Sequence, residues 1–236
     1  MPLLALETAT DVCSVALVDG DARVTGLAET LEPRSHAARL VPLIQELLAE
    51  HGFAPSDLDA VAVSAGPGSY TGLRIGASTA KGLAWVTGAD LVAVPSLEAL
   101  AFGALGRIAE GDLLVAAFRS RRGEVYAAAF GRSGDSLSTL VPAEAVLLDA
   151  LAAWLPGTEG TRWVAGEAGA LAAEALPTET RVLDPAAVRP SAALVGVLGV
   201  RRLAAGQTED VAAFEPDYLK AFVAKRGSSI FDRLPK

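Results

Sequence analysis

Residues 66–76 read Gly-Pro-Gly-Ser-Tyr-Thr-Gly-Leu-Arg-Ile-Gly, with four glycines and one proline. An apolar run, Ala60-Val61-Ala62-Val63-Ser64, leads straight into it, and a helical pattern over residues 71–86 follows. Strand, glycine loop and helix in that order form a unit of an α/β fold. The loop has three uses open to it. Its glycines can supply positive φ and close helix–sheet packing. Its backbone N–H groups can face an anion or nucleotide at the helix N-terminus. Its helix can pack against a partner.

The loop is not a nucleotide fingerprint of a standard kind. A Walker loop closes on Gly-Lys-Ser/Thr, whereas Gly76 is followed here by Ala77-Ser78. No dinucleotide pattern fits. Gly66-Pro67-Gly68-Ser69 is the nearest echo of a nucleophile elbow, and its register is wrong.

The rest of the chain alternates in the same style. Strands are expected over residues 3–7, 12–18 and 23–27, with Asp19-Gly20 as a hairpin turn. A helix is expected over 35–51 despite Pro42, and strand 59–64 leads to the glycine loop. Strand 91–94 and helix 96–108 close the first half. The second half offers strands over 113–118, 124–130, 137–141, 163–165 and 181–183. Helices are expected over 142–155, after Gly169, and over 191–205. Each half carries a hairpin followed by α/β alternation, which points to an internally duplicated fold of two lobes. The expected division is 1–108 for the first lobe and 109–189 for the second. A helix and basic tail over 190–236 then return to the first lobe.

Composition removes several classes. Apolar residues make up 51% of the 236-residue chain and charged ones 20%, so disorder is excluded. A net charge of -8 argues against wrapping nucleic acid unaided. From Tyr218 onward, however, five basic residues face one acidic residue, so the tail carries +4 and the remainder -12. A single cysteine, Cys13, rules out an internal disulfide framework, and its apolar neighbours place it in a buried strand. The start lacks the basic and apolar regions of a signal peptide, and the longest apolar run is too short for a membrane span. A cytoplasmic, soluble protein is the expectation.

Chemistry-bearing clusters are few. His36 and His51 lie too far apart on one helix to share a metal, and no Cys/His/Asp group has ligand spacing. His36 near its helix start is either a binding group or a capping residue. Arg119, Arg121 and Arg122 form a compact basic loop that either contacts phosphate or turns in solvent. Two readings remain on these grounds: a nucleotide-using enzyme of two α/β lobes, or a non-catalytic protein whose lobes dock partners.

The glycine segment resembles the signature of the bacterial TsaB (YeaZ) family, a component of tRNA threonylcarbamoyladenosine biosynthesis. Glu7-Thr8-Ala9-Thr10 is similar to that family's Asp-Thr-Ser-Thr start, with Glu for Asp. Residues 35–42, Gly123-Glu124-Val125-Tyr126 and Pro216-Asp217-Tyr218-Leu219-Lys220 resemble further family segments, so the likeness spans nearly the whole chain. It implies the actin, sugar-kinase and Hsp70 type of α/β fold, with two duplicated lobes of mixed sheet plus helices.

The resemblance also implies a role. The family's catalytic relative holds a metal with a His-x-x-x-His pair, and Ser96 and Leu100 stand at those positions here. Leucine has no ligand atom and serine is a poor one, so no metal and no cofactor are expected. The chain then supports its catalytic relative, TsaD, in placing threonylcarbamoyl on N6 of adenosine 37 in tRNAs reading codons that begin with adenine. The alternative is a stand-alone ATP-binding enzyme or peptidase-like hydrolase of the same superfamily. TsaE is the expected ATPase partner, homodimers form when the relative is absent, and tRNA is met only through the complex. The expected partner surface is His36, Leu40, Ala77, Ala80, Lys81 and Ala84. The nucleotide or anion loop comprises Thr8, Thr10, Gly66, Gly68, Ser69, Thr71 and Gly72, and Arg119, Arg121 and Arg122 are the expected tRNA contacts.

Overall fold

The computed structural model describes residues 1–220. Two five-stranded sheets organise the chain. The first contains β1 (Leu3–Glu7), β2 (Cys13–Val18), β3 (Val24–Thr30), β4 (Ala60–Ser64) and β5 (Asp90–Val94). The second contains β6 (Leu113–Arg119), β7 (Glu124–Ser133), β8 (Ser136–Leu147), β9 (Arg162–Ala165) and β10 (Arg181–Val182). Their strand orders are β3-β2-β1-β4-β5 and β8-β7-β6-β9-β10, the same topology repeated. In both, the first strand pairs antiparallel with the second and parallel with the fourth. The fold is α/β of the actin, sugar-kinase and Hsp70 type.

The apolar strands explain the layering. Every residue of β1, β2 and β4 is buried, so these strands need cover on both faces. On one face lie α1 (His36–Glu50) and α2 (Tyr70–Thr87), which pack Leu40, Leu47, Ala80 and Ala84 onto Leu4, Val15 and Val63. On the other lies α6 (Ala192–Ala204), with Val195 and Leu198 against Leu3, Val18 and Ala62. Helix α3 (Ser96–Ala104) sits between the sheets. Its Leu97, Leu100 and Ala101 join the core of the second sheet, while Ala99 joins the core beneath α6. The far face of the second sheet is covered by α4 (Leu151–Trp154) and α5 (Gly169–Glu174), through Leu151 and Ala172. Burying a leucine or valine contributes about 1.5–3 kcal/mol, so these helices hold the sheets at a fixed separation.

Two expected helices differ. Residues 142–147 are not helical but extend β8, which pairs with β7 as far as Leu147 opposite Glu124. Their exposure alternates with strand period, and the long cross-strand ladder overrides the helix propensity of the alanines. Helix α3 stops at Ala104 and runs on only as a 3₁₀ turn to Arg107, short of residue 108. Pro42 lies inside α1, where the carbonyl it leaves free belongs to exposed Ala38. Cys13 is fully buried, and that burial pushes its thiol up to about 11. Among the described residues no helix is long and apolar enough to cross a membrane.

Candidate functional site

The glycine loop joins the C-terminal end of β4 to α2. Gly66 has φ +108, and a Cβ there would meet the Asp217 carbonyl carbon at 3.3 Å and its oxygen closer still. Its amide donates to Ser96 Oγ at 3.0 Å, and its carbonyl accepts from Ser96 N–H at 2.8 Å. Gly68 lies against Ala9, and Gly72 and Gly76 lie against Thr8, too near for any side chain. The spacing therefore lets the first turns of α2 rest on the β1–β2 turn.

This packing engages the backbone amides of Gly66, Ser69 and Gly72. Ser69 caps α2 by accepting from Gly72 N–H at 3.3 Å. Ser69 N–H donates to Ala9 O at 2.7 Å, and Leu73 N–H to Ser69 O at 2.8 Å. Thr8 is fully buried and its hydroxyl has no hydrogen-bond partner. Thr10 Oγ1 accepts from Val12 N–H at 3.3 Å. Gly66, Gly72 and Thr8 are thus tightly packed, and Thr71 stands exposed on the first turn of α2.

Glu7 ends β1 beneath this loop. It is completely buried; one carboxyl oxygen accepts from Ala9 N–H at 2.6 Å and the other has no partner. Burial pushes its carboxyl up to about 7, against smaller opposing effects of Ala9 and Ser64. A carboxylate sealed this way faces no substrate.

The lobes meet in a polar cleft of about 350 Å³. Thr10, Gly68 and Ser69 reach it from the first lobe, and Arg119, Arg121 and Tyr126 from the second. Asp11 and Glu167 line it as well, so two carboxyl groups offset the two arginines. Glu167 accepts from Arg119 N–H at 3.1 Å, and burial raises its carboxyl above the usual range. Arg122 is exposed on the adjoining turn and does not line the cleft.

A C-terminal strap over residues 209–220 closes the first lobe beside the loop. Glu209 N–H donates to Leu91 O at 2.8 Å, and Asp217 N–H to Ala65 O at 2.7 Å. Lys81 donates to the Ala212 and Phe214 carbonyls at 3.0 and 2.8 Å. The Tyr218 ring lies 4.9 Å from that of Tyr70. Lys220 then pairs with Glu124 of the second lobe, which holds that carboxyl below the ordinary range together with Ser120. Sequence reasoning expected the return to the first lobe but missed the strap's partners and Glu167. The Pro216-Asp217-Tyr218 motif and the Gly166-Glu167 pair, set after β9 as Gly66-Pro67 is after β4, were their only signals.

The expected partner surface needs correction. His36 and Leu40 are 7% and 1% exposed, and Ala77, Ala80 and Ala84 are 5%, 0% and 2%. Leu40 and the three alanines face their own sheet, and His36 Nε2 donates to Val12 O at 3.1 Å. Lys81 is committed to the strap. The outward face of α2 instead carries Arg74, Ser78, Gly82, Trp85 and Val86, with Trp85 73% and Val86 84% exposed. Val41 is exposed on the neighbouring α1. Most of the basic tail, residues 221–236, lies outside the described residues.

Residues 22–228 match the family model described as TsaD: tRNA N6-adenosine threonylcarbamoyltransferase. The chain is 34% identical to the tRNA threonylcarbamoyladenosine biosynthesis protein TsaB of Escherichia coli, over 95% of this chain and 96% of that one. The structure of YeaZ from Pseudomonas aeruginosa superposes with a TM-score of 0.81 at 30% identity, covering 92% of this chain and 99% of that one. A second Pseudomonas aeruginosa structure, of an uncharacterized protein with similarity to peptidase YEAZ, gives 0.80 at 29%, covering 93% and 99%.

Proposed function

The chain belongs to the bacterial TsaB (YeaZ) family, and from that premise we propose that it acts in tRNA threonylcarbamoyladenosine formation as the non-catalytic partner of a catalytic relative of the same fold. The observation that carries this reading is the state of Ser96 and Leu100. Ser96 Oγ is engaged by the Gly66 amide, and Leu100 is fully buried in the core of the second sheet. Neither presents a ligand atom where the relative's histidines would stand. Three amides of the glycine loop, those of Gly66, Ser69 and Gly72, are likewise engaged, by Ser96, Ala9 and Ser69. What a catalytic lobe uses to hold phosphate and metal serves here to lock β1, α2 and the strap together.

The supported activity is placement of threonylcarbamoyl on N6 of adenosine 37, carried out by a TsaD-type partner in the cytoplasm, with a TsaE-type ATPase in the system. The outward face of α2, with Trp85 and Val86, together with Val41 of α1, is the docking surface for that partner and for a second copy when the partner is absent. An exposed tryptophan beside an exposed valine is costly to leave in water and marks such a surface. Exposed Arg121 and Arg122 are the places where tRNA can touch this subunit within the complex.

Reconstitution tests the reading. The purified chain alone is expected to modify no tRNA and hydrolyse no ATP or peptide. Adding it to the catalytic relative, the ATPase and the enzyme that makes threonylcarbamoyl-adenylate restores modification. Robust turnover by the chain alone, or full modification without it, contradicts the proposal.

A further inference from the structure

A second cavity, of about 300 Å³, opens at the junction of the lobes, away from the glycine loop. Its floor is apolar: Phe102 of α3, Phe130 of β7, Leu137 of β8 and Leu198 of α6. Phe130 and Leu198 are buried, so the floor is part of the packed structure and not a chance surface dimple. Pockets at domain junctions with this volume and an apolar floor are the usual seats of small ligands.

The rim supplies cationic groups. Arg201 and Arg202 follow Leu198 by one helical turn on α6, so all three point to the same wall. Arg202 is tied to Glu98 by a 2.6 Å ion pair, which orients its guanidinium; its Nε is buried and has no hydrogen-bond partner. Arg201 lies with its guanidinium carbon 4.8 Å from the centre of the Phe102 ring. Among the described residues its side chain makes no ion pair and no hydrogen bond. A guanidinium parked on an aromatic floor, with its donors unspent, is arranged to receive a carboxylate.

We infer that this cavity is a binding site for a small organic carboxylate with an aromatic or branched aliphatic body. The body lies on Phe102, Phe130 and Leu137, and the carboxylate accepts hydrogen bonds from Arg201. A ligand so placed touches α6 of the first lobe and the β7–β8 hairpin of the second, so its binding ties the lobes together.

The probe is 3-phenylpropionate, titrated by calorimetry into the full chain. One saturable site is expected. The neutral amide of the same acid should bind at least tenfold more weakly, because it lacks the charge that Arg201 receives. Arg201→Ala, an exposed position that leaves the fold intact, should weaken the acid at least tenfold and leave the amide unchanged. Leu137→Glu, which sets a negative charge on the floor, should abolish binding of the acid. Arg181→Ala, on the far edge of the second sheet, should change neither. No saturable binding, equal binding of acid and amide, or an Arg201→Ala affinity equal to the parent's overturns the inference.

Discussion

Glu7 is the residue where burial has most changed the chemistry. Its carboxyl is raised from 4.5 to about 7 by desolvation, with one oxygen unpartnered. The folded state therefore holds this proton more tightly than the unfolded state. Below pH 4.5 both states are protonated and Glu7 costs nothing. As pH rises from 4.5 to 7 the unfolded chain ionises first, so stability falls across that window and levels off above it. The span corresponds to about 3 kcal/mol. Urea unfolding from pH 4.5 to 8 should show that fall in the parent and its loss in Glu7→Gln. Equal slopes in the two proteins would show that Glu7 does not ionise as its burial dictates.

At the scale of elements, α2 is explained by what its glycines touch. Gly72, in the first turn, and Gly82, in the interior, belong to the same helix, but Gly72 lies against the Thr8 carbonyl whereas Gly82 faces open space. Gly72→Ala should destabilise by about 1–3 kcal/mol through overpacking. Gly82→Ala should stabilise by about 0.5–1 kcal/mol, since alanine loses less backbone entropy. Denaturant midpoints check both, and effects of the same sign would refute the packing role of the loop. These elements were legible to different degrees. The strand, loop and helix around Gly66 could be read directly, because an apolar run, a glycine cluster and a 3.6 period all agree there. The β8 extension could not, because residues 142–147 are stabilised by β7 across the sheet and not by local preference. That Ala77, Ala80 and Ala84 turn inward was not legible for a related reason. Small residues such as Ala80 and Ala84 suit close approach to a sheet as well as to a partner, and only burial separates the two.

At the scale of the molecule, the duplication suspected from the hairpin in each half becomes two sheets of identical strand order. Helix α3 packs on the second sheet and α6 covers the first, so the sheets share a layer of helices. The return of residues 190–236 to the first lobe was expected from the sequence, but the partners of the strap over 209–220 were not, because its bonds to Ala65, Leu91 and Lys81 join residues more than a hundred positions apart. Its Lys220–Glu124 pair crosses between the lobes. The two arginines in the cleft are offset by Asp11 and Glu167, so a tRNA contact at Arg121 would be local and not a broad basic surface. Exposed Trp85 and Val86 supply the apolar part of the docking surface proposed on α2.

Direct binding to the catalytic relative tests that role most closely. The purified chain and the TsaD-type protein of its own organism are titrated by calorimetry, for the parent and for Trp85→Glu. The expected result is a saturable complex with the parent and at least a tenfold loss of affinity in Trp85→Glu, whose melting temperature stays at the parent's because Trp85 is 73% exposed. No complex with the parent, or an equally tight one with Trp85→Glu, would contradict the account of this chain as a non-catalytic subunit that docks through α2.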